Sequence, residues 1–271
     1  MNAKLKAIVT DFVTALKSGV EGKWQKSWNA KSGLPVSIST GEAYKGINTL
    51  ILLSQGFASP IWGTFKAYKE KGAHVRKGEK GTNIVLYRPY ENDDGSTGVY
   101  RTTFVVFNSE QTTWDAPVAE QINDTQRWQH CENIIKGTNA VINHGGNTAC
   151  YIPSRDSINL PHFADFDTTA DYYATAFHEL AHWTGHSSRL DRNLSGRFGS
   201  HSYALEELVA ELSAAFMAAS LGFESVTRDS HIKYLKGWID AINEHPEALF
   251  RAAAAAQKAV DYIMSPPNDL E

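Results

Sequence analysis

Cysteine is scarce in this 271-residue sequence, which contains it only at Cys131 and Cys150. Two cysteines exclude a disulfide-based scaffold and favour a reducing compartment, such as the cytoplasm. The sequence also lacks any run of roughly eighteen apolar residues, so no transmembrane helix and no membrane partner are predicted. Asp11 and Lys17 interrupt the first apolar positions, so no secretory signal is predicted there either.

Charge is distributed unevenly along a chain of otherwise ordinary globular composition, with 42% hydrophobic and 21% charged residues. Residues 1–110 carry 15 Lys and Arg against 9 Asp and Glu, whereas the remaining 161 carry 11 against 21. A basic first part and an acidic second part favour two modules with different partners. The polar segment 108–122 places the boundary between them, which gives domains 1–115 and 116–271.

Hydrophobic periodicity predicts mixed structure in the first module and mostly helices in the second. In the first module it predicts helices over 3–17, 44–57 and 64–71, and a β-hairpin with strands 83–87 and 100–107. In the second it predicts helices over 119–138, 169–185, 203–221, 231–243 and 246–263, and extended pieces at 148–152 and 157–160. The predicted fold class is therefore α+β: a small α+β domain followed by a mostly helical domain with a small sheet.

Residues 178–182 read HELAH, the pattern of a metal-binding helix. His178 and His182 lie four residues apart, so both imidazoles leave the same face of a helix and can bind one divalent cation. Glu179 lies beside them, where it would accept a proton from a water molecule activated by the metal. A buried helix with two hydrogen-bonded histidines would show the same spacing, so the third ligand decides the class of site.

The third ligand is predicted to come from the helix YALEELVAELSAAF. A histidine at the HExxHxxGxxH spacing is missing, because that position is Ser188. Glu207 and Glu211 lie four apart and share a helical face, and Glu207 is favoured as the ligand. Glu211 would then orient a ligand histidine from outside, although the two roles could be exchanged. Glu206 is predicted to face solvent.

The segment ACYIPSRDSINLP, residues 149–161, has two interpretations. In zinc peptidases, an edge strand near the metal helix pairs with the substrate backbone. A plain structural hairpin would give the same sequence pattern, and the residues alone favour neither.

The first module mixes cationic and aromatic residues, as single-stranded nucleic acid binding requires. Rings that stack on any base, with cations that contact phosphates, would make the binding sequence-neutral. The same composition arises if the rings form the core and the lysines only the surface, and composition by itself favours this second interpretation. The candidate DNA-binding residues are Lys26, Trp28, Tyr44, Lys45, Trp62, Lys66, Arg76, Lys77 and Lys80.

Several motifs resemble those of the ArdC-type antirestriction family, whose members are encoded on conjugative plasmids and phages. In the first module these are WQKSW (24–28), YKGINTLIL (44–52), SPIWGTFKAY (59–68), VRKGEKGT (75–82) and VFNSEQT (106–112). In the second they are AxYxPSRDSINLP (149–161), FHELAHWTGHSSRLDR (177–192) and YALEELVAELSAAF (203–216). Together the motifs cover nearly the whole chain.

The resemblance implies a single-stranded DNA-binding domain followed by a zincin-like metallopeptidase domain. It implies that His178, His182 and a glutamate of EELVAEL bind the metal and that Glu179 is catalytic. Zinc is the expected cofactor, with manganese as an alternative. The implied function is protection of incoming plasmid or phage DNA from host restriction, with a host protein as the hypothetical peptidase substrate. The alternative is a DNA-coating protein whose metal is structural and which has no proteolytic turnover.

Overall fold

The computed structural model describes residues 3–20, 33–92, 94–116, 123–194, 196, 200–223 and 229–265. The predicted α+β class is confirmed. The helices are α1 (Ala3–Val20), α2 (Ile47–Leu53), α3 (Phe65–Glu70), α4 (Asp124–Gly137), α5 (Thr169–Thr184), α6 (His201–Leu221), α7 (Asp229–Glu244) and α8 (Glu247–Met264). The strands are β1 (Val36–Ser37), β2 (Ile61–Gly63), β3 (Thr82–Glu91), β4 (Thr97–Asn108), β5 (Val141–His144), β6 (Cys150–Ile152) and β7 (Ser157–Leu160).

The first half of the chain builds a four-stranded sheet in the order β1-β2-β4-β3. The predicted hairpin is present and longer than predicted, because β3 and β4 pair from Thr82↔Val106 to Glu91↔Thr97. The helix predicted over 44–57 begins only at Ile47. Gly46 has φ 57° and ψ −126°, a conformation that a helix cannot contain.

The second half places a three-stranded sheet, in the order β5-β7-β6, beside a group of helices. Strand β6 pairs antiparallel with β7 and lies at the edge of the sheet, next to α5. Strand β5, which the sequence analysis missed, pairs parallel with β7 on the other side. The sheet thus presents an edge strand along the helix that carries the HELAH motif.

Helices α5 and α6 begin and end at residues suited to those positions. Thr168 accepts a hydrogen bond from the backbone N–H of Asp171 and so caps the first turn of α5. Ser200 caps α6 in the same way through the N–H of Tyr203. Gly222 ends α6 in the left-handed conformation, with φ 70°, which glycine adopts without strain.

In the described part of the chain, a hydrophobic cluster runs through both halves, from Leu5 on α1 to Ile263 on α8. Helix α6 packs against both α5 and α8, where alanines such as Ala214 and Ala253 are buried. Small side chains let these helices approach closely. Among the described helices, none has the length and apolar character needed to cross a lipid bilayer.

Candidate functional site

Two histidines of α5 meet three glutamates of α6 in a nearly buried cluster. The side chain of His178 approaches Glu211, and that of His182 approaches Glu206, so the two helices run antiparallel. The two imidazole Nε2 atoms lie 3.2 Å apart. This short separation is the central feature of the site.

Glu207 lies between the two histidines. Its Oε2 is 3.7 Å from Nε2 of His178, and its Oε1 is 3.5 Å from Nε2 of His182. Ligand atoms about 2.0–2.1 Å from one tetrahedral zinc ion would lie about 3.3 Å apart. One donor atom from each of these three residues lies within 4.8 Å of the others. The three side chains therefore match the spacing of a mononuclear metal centre.

Each histidine also faces a carboxylate at its other ring nitrogen. Oε1 of Glu211 lies 3.0 Å from Nδ1 of His178, and Oε1 of Glu206 lies 3.2 Å from Nδ1 of His182. A carboxylate at Nδ1 favours the tautomer with its proton on that atom, which leaves an electron lone pair on Nε2. Two lone pairs and a carboxylate then face one another, and this arrangement favours a positive charge between them, either a proton or a metal ion.

The predicted solvent exposure of Glu206 is wrong, because its side chain is only 11% exposed. Arg192, in the segment after α5, donates to both of its oxygens, with Nε–Oε2 at 3.0 Å and Nη2–Oε1 at 2.8 Å. Arg192 also donates to the backbone oxygen of Ala181 and the hydroxyl of Thr184. Burial alone would raise the pKa of Glu206, but His182 and Arg192 hold it below its usual range.

The electrostatic field of the site favours positive charge. Burial alone would lower the pKa of His178, because it disfavours a charged imidazole. The carboxylates around it, led by Glu211 and followed by Glu179 and Glu207, outweigh burial and raise that pKa to about 9. A proton and a metal ion would therefore compete for this position.

Glu179 points toward the edge strand. It is only 6% exposed, and its Oε2 accepts a 2.7 Å hydrogen bond from the backbone N–H of Tyr151 on β6. The carboxylate is thereby held between α5 and β6. Glu179 does not belong to the three-residue metal group formed by the two histidines and Glu207.

A second polar cluster holds β6 in place. The hydroxyl of Tyr151 donates to Oδ1 of Asp156 at 2.9 Å, and Nη1 of Arg189 donates to Oδ2 of Asp156 at 2.9 Å. Nε of Arg189 donates to the backbone oxygen of Trp183 at 2.7 Å, and the guanidinium lies 3.9 Å from the centre of that indole ring. These contacts connect the end of α5 to the edge strand.

Sequence reasoning missed Glu206, Arg192 and the cluster around Arg189. Glu206 directly precedes Glu207, so helical spacing suggested that it lies on a different face of α6. Its contacts with His182 and Arg192 explain why it is buried. For Arg189 the one available signal was its place in the motif HSSRL, shortly after the second histidine. Its place in this motif predicts that Arg189 lies near the site, but it does not predict which residues Arg189 contacts.

The candidate DNA-binding residues lie in several environments. Lys26 and Trp28 fall outside the described residues. Trp62 is only 1% exposed and packs edge-on against Phe57, so it is a core residue and offers no face to a base. Tyr44 is half-buried, and burial raises its pKa.

Among the residues that the structure describes, the cationic candidates divide into side chains that contact another group and side chains that are simply exposed. Lys45 lies 3.7 Å from Asp261, and Lys66 lies 3.7 Å from Glu70, both at exposed positions. Arg76 donates to the backbone oxygens of Thr112 and Glu110, which ties its guanidinium to the protein. The remaining two candidates, Lys77 and Lys80, are exposed.

An HExxH helix, a glutamate on the next helix and an adjacent edge strand together define a zincin-like metallopeptidase domain. A family model described as "Zincin-like metallopeptidase" matches residues 129–255. A second model, described as the N-terminal domain of the anti-restriction factor ArdC, matches residues 3–126. The chain belongs to the ArdC-type family of antirestriction proteins.

Solved structures of the family agree with this membership. The metal-free crystal structure of the antirestriction protein ArdC from plasmid R388 is 32% identical and has a TM-score of 0.78, covering 97% of this chain and 97% of that one. The Mn(II)-bound structure of ArdC from R388 is 30% identical, with a TM-score of 0.80 and complete coverage, 100% of both chains. The fold of this chain is therefore that of ArdC throughout.

The chain also resembles part of a larger protein. DNA primase TraC of Escherichia coli is 38% identical over 281 residues, which covers 93% of this chain and 26% of the primase. The chain thus spans about a quarter of that relative's length.

Proposed function

We propose that this antirestriction protein combines single-stranded DNA binding with a zinc-dependent peptidase centre. The DNA-binding domain would comprise residues 1–115 and the peptidase domain residues 116–271. The observation that carries the peptidase proposal is the 3.2 Å separation of the two Nε2 atoms of His178 and His182, beside the carboxylate of Glu207. In this proposal His178, His182 and Glu207 bind the metal, and Glu211 orients His178.

The residues of the site have separate tasks in peptide hydrolysis. A bound divalent cation supplies Lewis acidity, which makes water more acidic and polarises a carbonyl. Glu179 accepts a proton from the attacking water and later donates it to the leaving amine. Burial of Glu179 limits the access of bulk water, and the N–H of Tyr151 fixes the direction of its carboxylate.

Strand β6 would position the substrate. Its partner β7 occupies one side, and an extended peptide would pair along its other edge, where the N–H of Tyr151 is already taken by Glu179. The hydrogen bond from Tyr151 to Glu179 places this edge directly beside the proposed base. A peptide bound along β6 would therefore present its backbone to the metal-binding residues. The substrate we propose is a host protein.

DNA binding is supported by charge and by family. The first 110 residues carry 15 Lys and Arg against 9 Asp and Glu, and Lys77 and Lys80 are exposed. The N-terminal model is that of an anti-restriction factor, and the relative TraC is named a DNA primase. Binding without sequence preference would allow the protein to accompany incoming DNA in the cytoplasm and protect it from host restriction.

The decisive test of the peptidase centre is Glu179→Gln, which keeps the shape of the side chain and removes its basicity. Wild type and variant, both loaded with zinc, are incubated with a host lysate, and new protein N-termini are identified by mass spectrometry. We expect equal zinc content by elemental analysis and new N-termini only with wild type. New N-termini in equal number from both proteins would contradict the role of Glu179.

A DNA-coating protein with a structural metal is the second candidate. The observation in its favour is that Glu179 is 6% exposed and already engaged by the N–H of Tyr151. This candidate predicts that wild type yields no new N-termini. It also predicts that Glu179→Gln protects DNA as well as wild type in a conjugation assay, whereas removal of the metal unfolds the protein.

A further inference from the structure

The β3–β4 hairpin carries a concentration of exposed apolar side chains that the core does not explain. Strand β2 pairs with β4 only at Phe107 and Asn108, so most of the hairpin extends beyond the rest of the sheet. Nine large hydrophobic side chains are exposed among the described residues, and five of them lie on this hairpin. They are Tyr87, Tyr90, Val99, Tyr100 and Val105. Exposed clusters of this kind mark binding surfaces.

Two tyrosines and an arginine share one face of the hairpin. Arg88 lies opposite Tyr100 in the register, and Tyr90 lies opposite Gly98. A Cβ atom at position 98 would lie 2.6 Å from the Tyr90 ring, so glycine at this position allows the ring to lie across the neighbouring strand. The rings of Tyr90 and Tyr100 are 6.3 Å apart at 46°, and they are 43% and 50% exposed.

The opposite face of the hairpin is anchored to the second half of the chain. Arg101 forms an ion pair with Glu247 on α8, and its guanidinium lies 5.1 Å from the centre of the Phe250 ring. Arg101 holds only part of this face against α8, since Tyr87 and Val99 on it stay exposed; the face with Arg88 is exposed as well, at Tyr90 and Tyr100. The Arg88 side chain is exposed and makes no hydrogen bond or ion pair with any residue that the structure describes.

We infer that Arg88, Tyr90 and Tyr100 form a stacking site for unpaired bases of single-stranded DNA. This inference rests on the proposed DNA-binding function and gives that function a location. Aromatic rings stack on bases of any type, and a nearby guanidinium contacts phosphate. Bases within a duplex are already stacked on one another, so the site selects single strands.

The acidic groups near this site do not repel single-stranded DNA from the face with the two tyrosines. Glu91 has the opposite orientation to Tyr90, because successive side chains alternate between the faces of a strand. Asp94 lies in the turn, where its carboxylate accepts a hydrogen bond from the N–H of Ser96. The face with the two tyrosines therefore presents a cation, Arg88, and two rings.

The test compares two double variants of the full-length protein. Tyr90→Leu with Tyr100→Leu keeps apolar bulk and removes the flat rings, whereas Tyr90→Phe with Tyr100→Phe keeps the rings. Binding is measured by fluorescence anisotropy with a labelled oligo(dT) and with an abasic oligonucleotide of equal length. We expect the Leu pair to bind oligo(dT) at least about tenfold more weakly and the Phe pair to bind within about twofold of wild type. Binding to the abasic strand should be the same for all three proteins.

The control is Phe163→Leu, which removes a ring that is 50% exposed outside the proposed DNA-binding domain. This variant should bind oligo(dT) as wild type does. If the Leu pair binds oligo(dT) as tightly as wild type does, the stacking site is wrong although the proposed function stands, and the surface would then suit a protein partner. If wild type itself binds no oligo(dT) at low salt, the proposed function fails and the inference fails with it.

Discussion

The backbone N–H of Tyr151 donates a 2.7 Å hydrogen bond to Oε2 of Glu179 and so joins the edge strand β6 to the helix that carries both histidines. This contact links substrate position to catalysis in the proposed peptidase. The strand that would hold a peptide is aligned with the carboxylate that would accept a proton. Any change that moves β6 should therefore disturb the reaction without disturbing the metal ligands.

Arg189→Met tests whether the position of β6 can be changed without affecting the metal ligands. The buried guanidinium joins Asp156 to the carbonyl of Trp183, so its loss should release β6 and lower the free energy of unfolding by about 1–3 kcal/mol. We expect faster hydrogen exchange at the Tyr151 amide, because that hydrogen bond would open more often. Zinc stoichiometry should stay the same, since the three proposed ligands lie on α5 and α6.

Asp156→Asn changes the same polar cluster as Arg189→Met but keeps a side chain of the same shape. Asp156 has φ 46°, a left-handed conformation that asparagine also adopts, so the backbone should be preserved. We expect a smaller loss of stability than for Arg189→Met. If either variant loses its zinc, the cluster supports the ligand helix itself, and the proposed separation between strand and metal would be wrong.

The roles of the α6 glutamates can be separated by metal affinity. Glu207 lies near both Nε2 atoms, whereas Glu211 lies near Nδ1 of His178. We expect Glu207→Gln to weaken zinc binding far more than Glu211→Gln, for which loss of an outer partner predicts about 10–100-fold. Competition with a coloured chelator measures both affinities. A larger loss of zinc affinity for Glu211→Gln would mean that Glu211 is the ligand and Glu207 the outer partner.

Much of this centre could be predicted from sequence because it depends on local spacing. The positions of His178, His182, Glu207 and Glu211 follow from four-residue separations within helices, and those helices formed where periodicity indicated. The environment of Glu206 could not be predicted in this way. Its burial depends on the rotation of α6 against α5 and on Arg192, fourteen positions away in the chain.

The errors in the fold have related physical causes. Strand β5, Val141–His144, is short and lacks a clear alternation, and its partner β7 follows it only after β6. Trp62 was a reasonable stacking candidate by residue type, but type does not reveal which face of a strand a ring occupies. The exposed tyrosines of the hairpin were overlooked for the same reason.

The stability of the metal-free protein should depend on pH through His178. Its folded-state pKa is raised to about 9, above the value of about 6.5 expected in an unfolded chain. A raised histidine pKa stabilises the fold fully below about pH 6.5, and this contribution is lost as the pH rises through about 9. In the presence of a chelator, we therefore expect the melting temperature to fall as the pH rises from about 6.5 to about 9.

Stabilisation by zinc should have the opposite pH dependence, because the metal binds the neutral imidazole and competes with the proton. The stabilisation by zinc should accordingly grow as the pH rises from about 6.5 to 9. Glu211→Gln should reduce the pH dependence of the chelated protein, since Glu211 is the largest cause of the raised pKa. A melting temperature that is independent of pH in the chelator would argue against this electrostatic account.

Arg76 and Lys77 are neighbours in sequence and have opposite expected roles. The guanidinium of Arg76 donates to the backbone oxygens of Thr112 and Glu110, so Arg76→Gln should lower the free energy of unfolding by about 1–2 kcal/mol. Lys77 is exposed, so Lys77→Gln should leave stability unchanged. If Lys77 contacts a phosphate, its loss should reduce the salt dependence of oligo(dT) binding by about one unit of slope in a log–log plot.

Lys258→Gln is the matched control, because Lys258 is also exposed but lies on α8, outside the proposed DNA-binding domain. Its salt slope should equal that of wild type. Urea denaturation measures the stabilities, and anisotropy titrations at several salt concentrations measure the slopes. Equal slopes for Lys77→Gln and Lys258→Gln would mean that Lys77 contacts no phosphate. Phosphate contacts beside the tyrosine face of the hairpin would then come from other cations, such as Arg88.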